Sequence, residues 1–176
     1  MDDILGLLAG AFLTAILIFI VPANLFSNRL DNTLQNVVNG YVNDFSDTCR
    51  ATGEIEPEQY IKLLNKLDST GYAYDIDIEH TVNAVYPIEA ADGTVTDTAR
   101  GGMNYSDKEI MNKMFPNSDV NGKEQNDYKM QAGDEITVSV KSRTNTFSSK
   151  LNSLLTGAAG TKITANGGGF VYNDPQ

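Results

Sequence analysis

The sequence predicts an α+β chain: a long N-terminal helix, apolar along its first half and amphipathic along its second, packed against a small antiparallel β-sheet head with short helices. Three observations predict this. Ile4 to Asn28 contains no charged side chain. Leu30, Leu34, Val37, Val38, Tyr41, Phe45 and Cys49 then step by threes and fours and keep helical phase over about five turns. Farther on, Tyr72 to Tyr86 alternates apolar with polar positions, the pattern of a half-buried strand.

The uncharged run comes first. At about 1.5 Å per residue it reaches roughly 35 Å, enough to cross a hydrocarbon core of about 30 Å. A secretory signal opens on basic residues, but this chain opens on Met1-Asp2-Asp3, and its first base is Arg29. The bias of positive charge toward the cytoplasm leaves two arrangements: an outward N-terminus, or a basic leader already removed, with Met1 as the mature start. The second is the expectation adopted. Gly6 and Gly10 make a GxxxG pair, with Ala9, Ala11 and Ala15 nearby. Such residues let helix backbones approach closely where no water drives association, although a Gly- and Ala-rich apolar run also produces the pair by chance. Pro22 removes one helical hydrogen bond, so a kink or local melting is expected there. The stripe beyond it carries the helix on to Arg50.

This segment resembles the N-terminal helix of type IV pilins and pseudopilins. In that family a leader peptidase removes a short basic leader. The mature chain then opens with an apolar helical half, a proline often sits near its end, and an amphipathic half packs on a β-rich head. Val21-Pro22-Ala23 matches the proline region and Leu30 to Cys49 the head-packing half. The family usually carries a glutamate a few residues in, which meets the N-terminal amine of a neighbouring subunit. Leu5 stands near that place here, and only Asp2 and Asp3 are available for the role. The likeness covers Met1 to Arg50; the later stretch Glu54 to His80 also resembles pilin-like proteins encoded beside pilus or conjugation genes in Gram-positive bacteria.

The resemblance implies a structural subunit of a type IV pilus-like extracellular filament, a helical homopolymer held through its apolar helix and resident in the cytoplasmic membrane before assembly. It implies a leader peptidase, an assembly ATPase and a polytopic platform protein as partners. The alternative is a membrane-tethered minor pseudopilin or surface binding module in secretion, DNA uptake or conjugation. The expected assembly interface is Asp2, Asp3, Gly6, Gly10, Ala15 and Pro22.

Composition fits a stem of residues 1–28 and a head of residues 29–176 that includes the second half of the helix. Of the chain's net charge of −10, residues from 29 onward carry 13 bases against 21 acids, or −8. That balance opposes direct binding to nucleic-acid phosphates. The single cysteine, Cys49, lies on the apolar stripe and is expected as a small buried hydrophobe. An exported chain without an internal disulfide suits a monoderm cell surface.

The rest of the head follows in order. Thr52-Gly53 should stop the helix, with glycine in the left-handed turn. Pro57 to Ser69 predicts a second helix burying Tyr60, Leu63, Leu64 and Leu67, closed by Gly71. In the strand Tyr72 to Tyr86, Tyr72, Tyr74, Ile76, Ile78, His80 and Val82 share one face, and Pro87 is expected to end it. Ala91 to Thr94 is a turn signal between short β-prone pieces, and Gly101-Gly102 should loosen the chain. Ser106 with Glu109 is a capping box for a helix to Phe115, whose Ile110, Met111, Met114 and Phe115 plug the head. Pro116 to Asp127 is a polar loop. Tyr128 to Met130 and Glu135 to Lys141 are strands flanking a Gly133-Asp134 turn. Asn145 to Thr156 forms a helix with Phe147, Leu151, Leu154 and Leu155 inward, ended by Gly157. Lys162 to Ala165 and Phe170 to Tyr172 pair as a terminal hairpin around Asn166 to Gly169.

No catalytic or cofactor inventory emerges. His80, the single histidine, falls on the inward strand face and is expected as a hydrogen-bonded core residue. One His and one Cys far apart make neither a zinc site nor a Cys-His nucleophile. Asp119 to Glu124 has the flavour of a calcium loop without its spacing, and a plain turn is the expectation. The row Asp75, Asp77 and Glu79 is expected as a solvated strand face. The expectation is therefore no enzyme, no metal and no cofactor.

Overall fold

The computed structural model describes residues 2–89, 95–116, 124–157 and 161–175, and the side chains among them except those of residues 2, 3, 5, 85–89, 95–100 and 154–156. The fold is α+β. Helix α1 (Asp2–Thr52) leads to β1 (Glu54–Ile55), α2 (Pro57–Asp68), β2 (Tyr74–Glu89), β3 (Val95–Tyr105), α3 (Asp107–Met114), β4 (Tyr128–Lys129), β5 (Glu135–Ser142), α4 (Phe147–Thr156) and β6 (Thr164–Phe170). The main sheet is antiparallel with order β3-β2-β5-β6, and β1 pairs with β4 in a small second sheet.

Helix α1 passes through Pro22 without a break, so the melting expected there does not occur. Its second half buries Val38, Val42, Phe45 and Cys49 on the sheet, and Leu34 and Tyr41 pack at the rim. Gly53 ends it at φ +76, its N–H donating to the Cys49 carbonyl over 2.9 Å. The last carbonyls of a helix have no partner within it. Here the chain's C-terminal segment supplies them: Tyr172 N–H donates to the Arg50 carbonyl and the Asn173 side-chain amide to the Ala51 carbonyl, each over 2.8 Å.

The inward rows of the sheet run His80–Ile136–Gly169, Ile78–Val138–Gly167 and Ile76–Val140–Ala165 across β2, β5 and β6. Side-chain bulk thus falls to almost nothing at β6, and α1 lies down on that low side. A Cβ on Gly167 would meet Ser46 Oγ at 2.7 Å and Val42 Cγ1 at 3.1 Å, and one on Gly169 would meet the Arg50 guanidinium at 3.0 Å. The expected terminal hairpin is therefore corrected. Asn166 to Gly169 is the middle of one continuous edge strand, and its glycines are the seat of the helix.

Other expectations also change. β2 runs through Pro87 to Glu89, where only β3 pairs with it. Proline lacks a ladder donor and survives where one side of a strand is unpaired. Gly101-Gly102 stays inside β3, opposite Ala84 and Asn83, because the ladder supplies the order that the glycines lack. The turn signal at 91–94 and the loop core at 117–123, including most of Asp119 to Glu124, lie outside the described residues. α2 buries Tyr60, Leu63 and Leu67, and α3 opens on the expected Ser106–Glu109 capping box and buries Ile110 and Met114.

Candidate functional site

The feature that stands apart from the packed head is the first half of α1. Ile4, Leu7, Leu8, Phe12, Leu13, Leu17, Ile18, Phe19, Val21, Leu25 and Phe26 are all exposed; Phe19 reaches 76 %. Ile4 to Ala23 spans about 30 Å of helix. The helix is long and apolar enough to cross a membrane, and the head covers none of its most apolar stretch. An exposed apolar surface of this size marks a lipid-facing or protein-facing surface.

The helical twist decides which predicted residues act together. Gly6 and Gly10 lie about 40° apart on one face, and Thr14 continues it, its hydroxyl donating to the Gly10 carbonyl over 2.8 Å. A Cβ at either glycine would find nothing within 4 Å. Ala15 falls about 140° round from Gly10 and within about 20° of Leu8, so it lies on the other side of the stem and the small residues make no single stripe. Leu8, Phe12 and Phe19 project within about 40° of one another on the opposite side. Gly6 and Gly10 thus leave a shallow patch near the start of the stem, bounded by exposed Leu13 and Leu17 further along the same side, and the opposite side is ridged. Pro22 is exposed within the continuous helix. Asp2 and Asp3 belong to its first turn, and their side chains lie outside the described residues.

Polar chemistry concentrates inside the head. His80 is buried between Tyr128 and Asp134, with Nδ1 2.8 Å from the Tyr128 hydroxyl and Nε2 3.0 Å from Asp134 Oδ2. An ionised Asp134 only accepts, so Nε2 carries the proton; in the neutral ring Nδ1 accepts from Tyr128. Asp134 also accepts from Gln131 N–H at 2.8 Å and Asn83 N–H at 3.3 Å. Burial pushes the Tyr128 phenol above its ordinary range, which keeps it a donor. All three groups are enclosed, so the network braces β2 against β4 and the turn before β5. The alternation of β2 placed His80 inward, but Tyr128 and Asp134 came from distant segments that only folding brings together.

Arg50 holds the junction of α1 and β6. Its Nε donates to the Phe170 carbonyl over 3.0 Å, one terminal nitrogen pairs with Asp47 at 2.9 Å, the other meets the phenol of Tyr172, and the guanidinium lies 4.5 Å from that ring's centre. On the outer sheet face, Asp75 pairs with Arg143 at 2.7 Å. No group of three or more metal-ligating side chains stands together among the described residues.

α4 departs from expectation. Phe147 is 63 % exposed and Leu151 half-buried, whereas Ser148 and Ser149 are buried; Leu154 and Leu155 lie outside the described side chains. The polar face of α4 turns inward because α1 offers it polar partners: Asp31 accepts from the Thr146 and Ser148 hydroxyls, and Asn24 donates to Asn152.

No family model, curated protein or solved structure matches this chain.

Proposed function

We propose that this chain is a structural subunit of a type IV pilus-like extracellular filament that polymerises through its apolar N-terminal helix. The observation that carries the reading is the uncovered stem, shallow over Gly6 and Gly10 and ridged on the opposite side at Leu8, Phe12 and Phe19. A ridge on one copy and a trough on the next make a head-to-tail contact, and repetition of such a contact builds an open helix rather than a closed ring. Before assembly the stem rests in the cytoplasmic membrane. Exchange of lipid for protein around it is nearly neutral in hydrophobic terms, so close packing of small residues and head contacts select the polymer. Asp2 or Asp3 neutralises a neighbour's buried N-terminal amine, which is costly to leave unpaired. A leader peptidase, an assembly ATPase and a platform protein serve this process.

The test is electron microscopy of material sheared from cells expressing the intact operon, with mass spectrometry of the subunit's N-terminus. Filaments built of this chain are the expected result. No filaments, with the protein retained in membranes, would overturn the reading and favour a tethered minor pseudopilin or surface binding module.

A further inference from the structure

Strand β6 is one edge of the main sheet, and α1 runs beside it. At its start the Gln35 side-chain amide donates to the Thr164 carbonyl and accepts from the Thr164 N–H over 3.3 Å. At its end Arg50 Nε donates to the Phe170 carbonyl. Gln35 to Arg50 is about 22 Å of helix and Thr164 to Phe170 about 20 Å of strand, so the two rise together along one side of the head. Thr164 thus turns both ladder groups away from β5, and alternation gives Asn166 and Gly168 the same direction. Among the described residues nothing serves the N–H and C=O groups of those two.

Open edges are ordinarily blunted by charge, lysine above all. This one is not. Residues 32–43 of α1 and residues 163–173 around β6 contain no charged side chain, so all 13 bases and 21 acids of the head lie elsewhere. The two segments adjoin: Asn43 Oδ1 lies 3.1 Å from where a Gly167 Cβ would stand. Asn32, Asn36, Asn43 and Asn166 are exposed along this side, and so are Phe170 and Tyr172 at its upper end. Charge returns only at the margins, with Arg29 and Lys162 below and the Asp47–Arg50 pair above.

We propose that this amide-lined face is a lateral contact surface, covered in the filament by the head of a second copy of the chain. The proposal rests on the filament reading. Heads of net −8 repel one another, and an uncharged face is where two of them approach at least cost. Interface cores are depleted of charge and enriched in aromatic side chains, as this face is. Asparagine amides both donate and accept, so they suit a polar surface of the neighbour, which also supplies partners for the open backbone of Asn166 and Gly168. Antiparallel pairing of two β6 edges would point the stems in opposite directions, so the neighbour stands parallel to the copy it covers.

The test compares two pairs of substitutions in the full chain, each changing amides to acids of the same shape and adding the same two charges. Asn36→Asp with Asn166→Asp places them on the face; Asn65→Asp with Asn112→Asp places them on exposed positions of α2 and α3. The face pair should cut sheared polymer by about tenfold or more, with head unfolding in detergent unchanged, and the control pair should assemble as wild type does. Hydrogen exchange should slow at Asn166 and Gly168 on passing from solubilised subunit to wild-type filament. Filaments in normal yield from the face pair, or β6 amides that exchange as fast in the filament as in the subunit, would overturn the contact and leave the filament standing. Equal loss of polymer from both pairs would assign the effect to total charge and equally overturn it. Absence of filaments from the wild-type chain would remove the reading on which the contact depends.

Discussion

Gly167 of β6 lies against Ser46 of α1 so closely that a methyl group on the glycine would stand 2.7 Å from the serine hydroxyl oxygen. The neighbouring Gly168 has φ +149, and a Cβ there would sit 2.2 Å from the Ile136 carbonyl oxygen. Gly167→Leu and Gly168→Ala should therefore each cost the head about 1–3 kcal/mol or more. Gly71→Ala is the control: its φ is +79, but a Cβ meets nothing within 4 Å, so about 1 kcal/mol of backbone strain is expected. Thermal unfolding of the detergent-solubilised chain measures all three. Equal midpoints for Gly167→Leu and wild type would remove the helix-seat explanation.

Asp134 ties His80 to the backbone of Gln131 and Asn83. Asp134→Ala strands these buried donors and should destabilise the head by about 3 kcal/mol, whereas Tyr128→Phe, which removes one hydroxyl, should cost about 1 kcal/mol. Denaturant unfolding of both variants checks the order. A milder effect from Asp134→Ala than from Tyr128→Phe would place the network's weight elsewhere.

The α3 cap is pH-dependent. The Ser106 backbone N–H and then its hydroxyl hold the Glu109 carboxyl below its ordinary value of 4.5. Because the folded pKa is lowered, this contribution is complete above 4.5 and is lost as pH falls through the folded value. Glu109→Gln should be less stable than wild type near neutral pH, with the gap closing in acid. Ser106→Ala should cost about 1 kcal/mol near neutral pH. A gap for Glu109→Gln that is constant with pH would show that its carboxylate does not serve the cap.

Burial pushes the Cys49 thiol up to about 12. At mild alkaline pH it stays protonated and covered, so the folded chain should react with a disulfide reagent orders of magnitude more slowly than the chain in denaturant. Stopped-flow labelling distinguishes the two states. Comparable rates would mean that α1 separates readily from the sheet.

Gly10→Leu fills the shallow patch of the stem and Phe12→Ala removes part of the ridge. Neither residue supports the head, so both should leave head unfolding unchanged and sharply reduce sedimentable polymer. Asp2→Asn combined with Asp3→Asn should slow assembly without changing the final filament. Normal polymer from both stem variants would dismiss ridge-in-trough packing, and an unchanged rate for the aspartate pair would dismiss amine pairing.

Local pattern alone determined the long helix, its uncharged first half, α2, the α3 capping box and the inward face of β2. These follow from periodicities of about 3.6 and 2 and from caps within a few residues, all written in consecutive positions. Gly53 likewise announced the end of α1. Tertiary structure decided the meaning of residues whose local signal was ambiguous. A run of three glycines reads as a turn until a helix is found resting on it, and Gly101-Gly102 reads as a break until a partner strand fixes it. Leucines and a phenylalanine at helical spacing predict an inward apolar face, yet α4 turns its serines inward, because Asn24 and Asp31 of a segment more than a hundred residues away offer polar partners. His80 could be placed in the core from its strand, but Tyr128 and Asp134 could not be named as its partners. Side-chain periodicity records which face is apolar; which element meets that face is set by long-range packing.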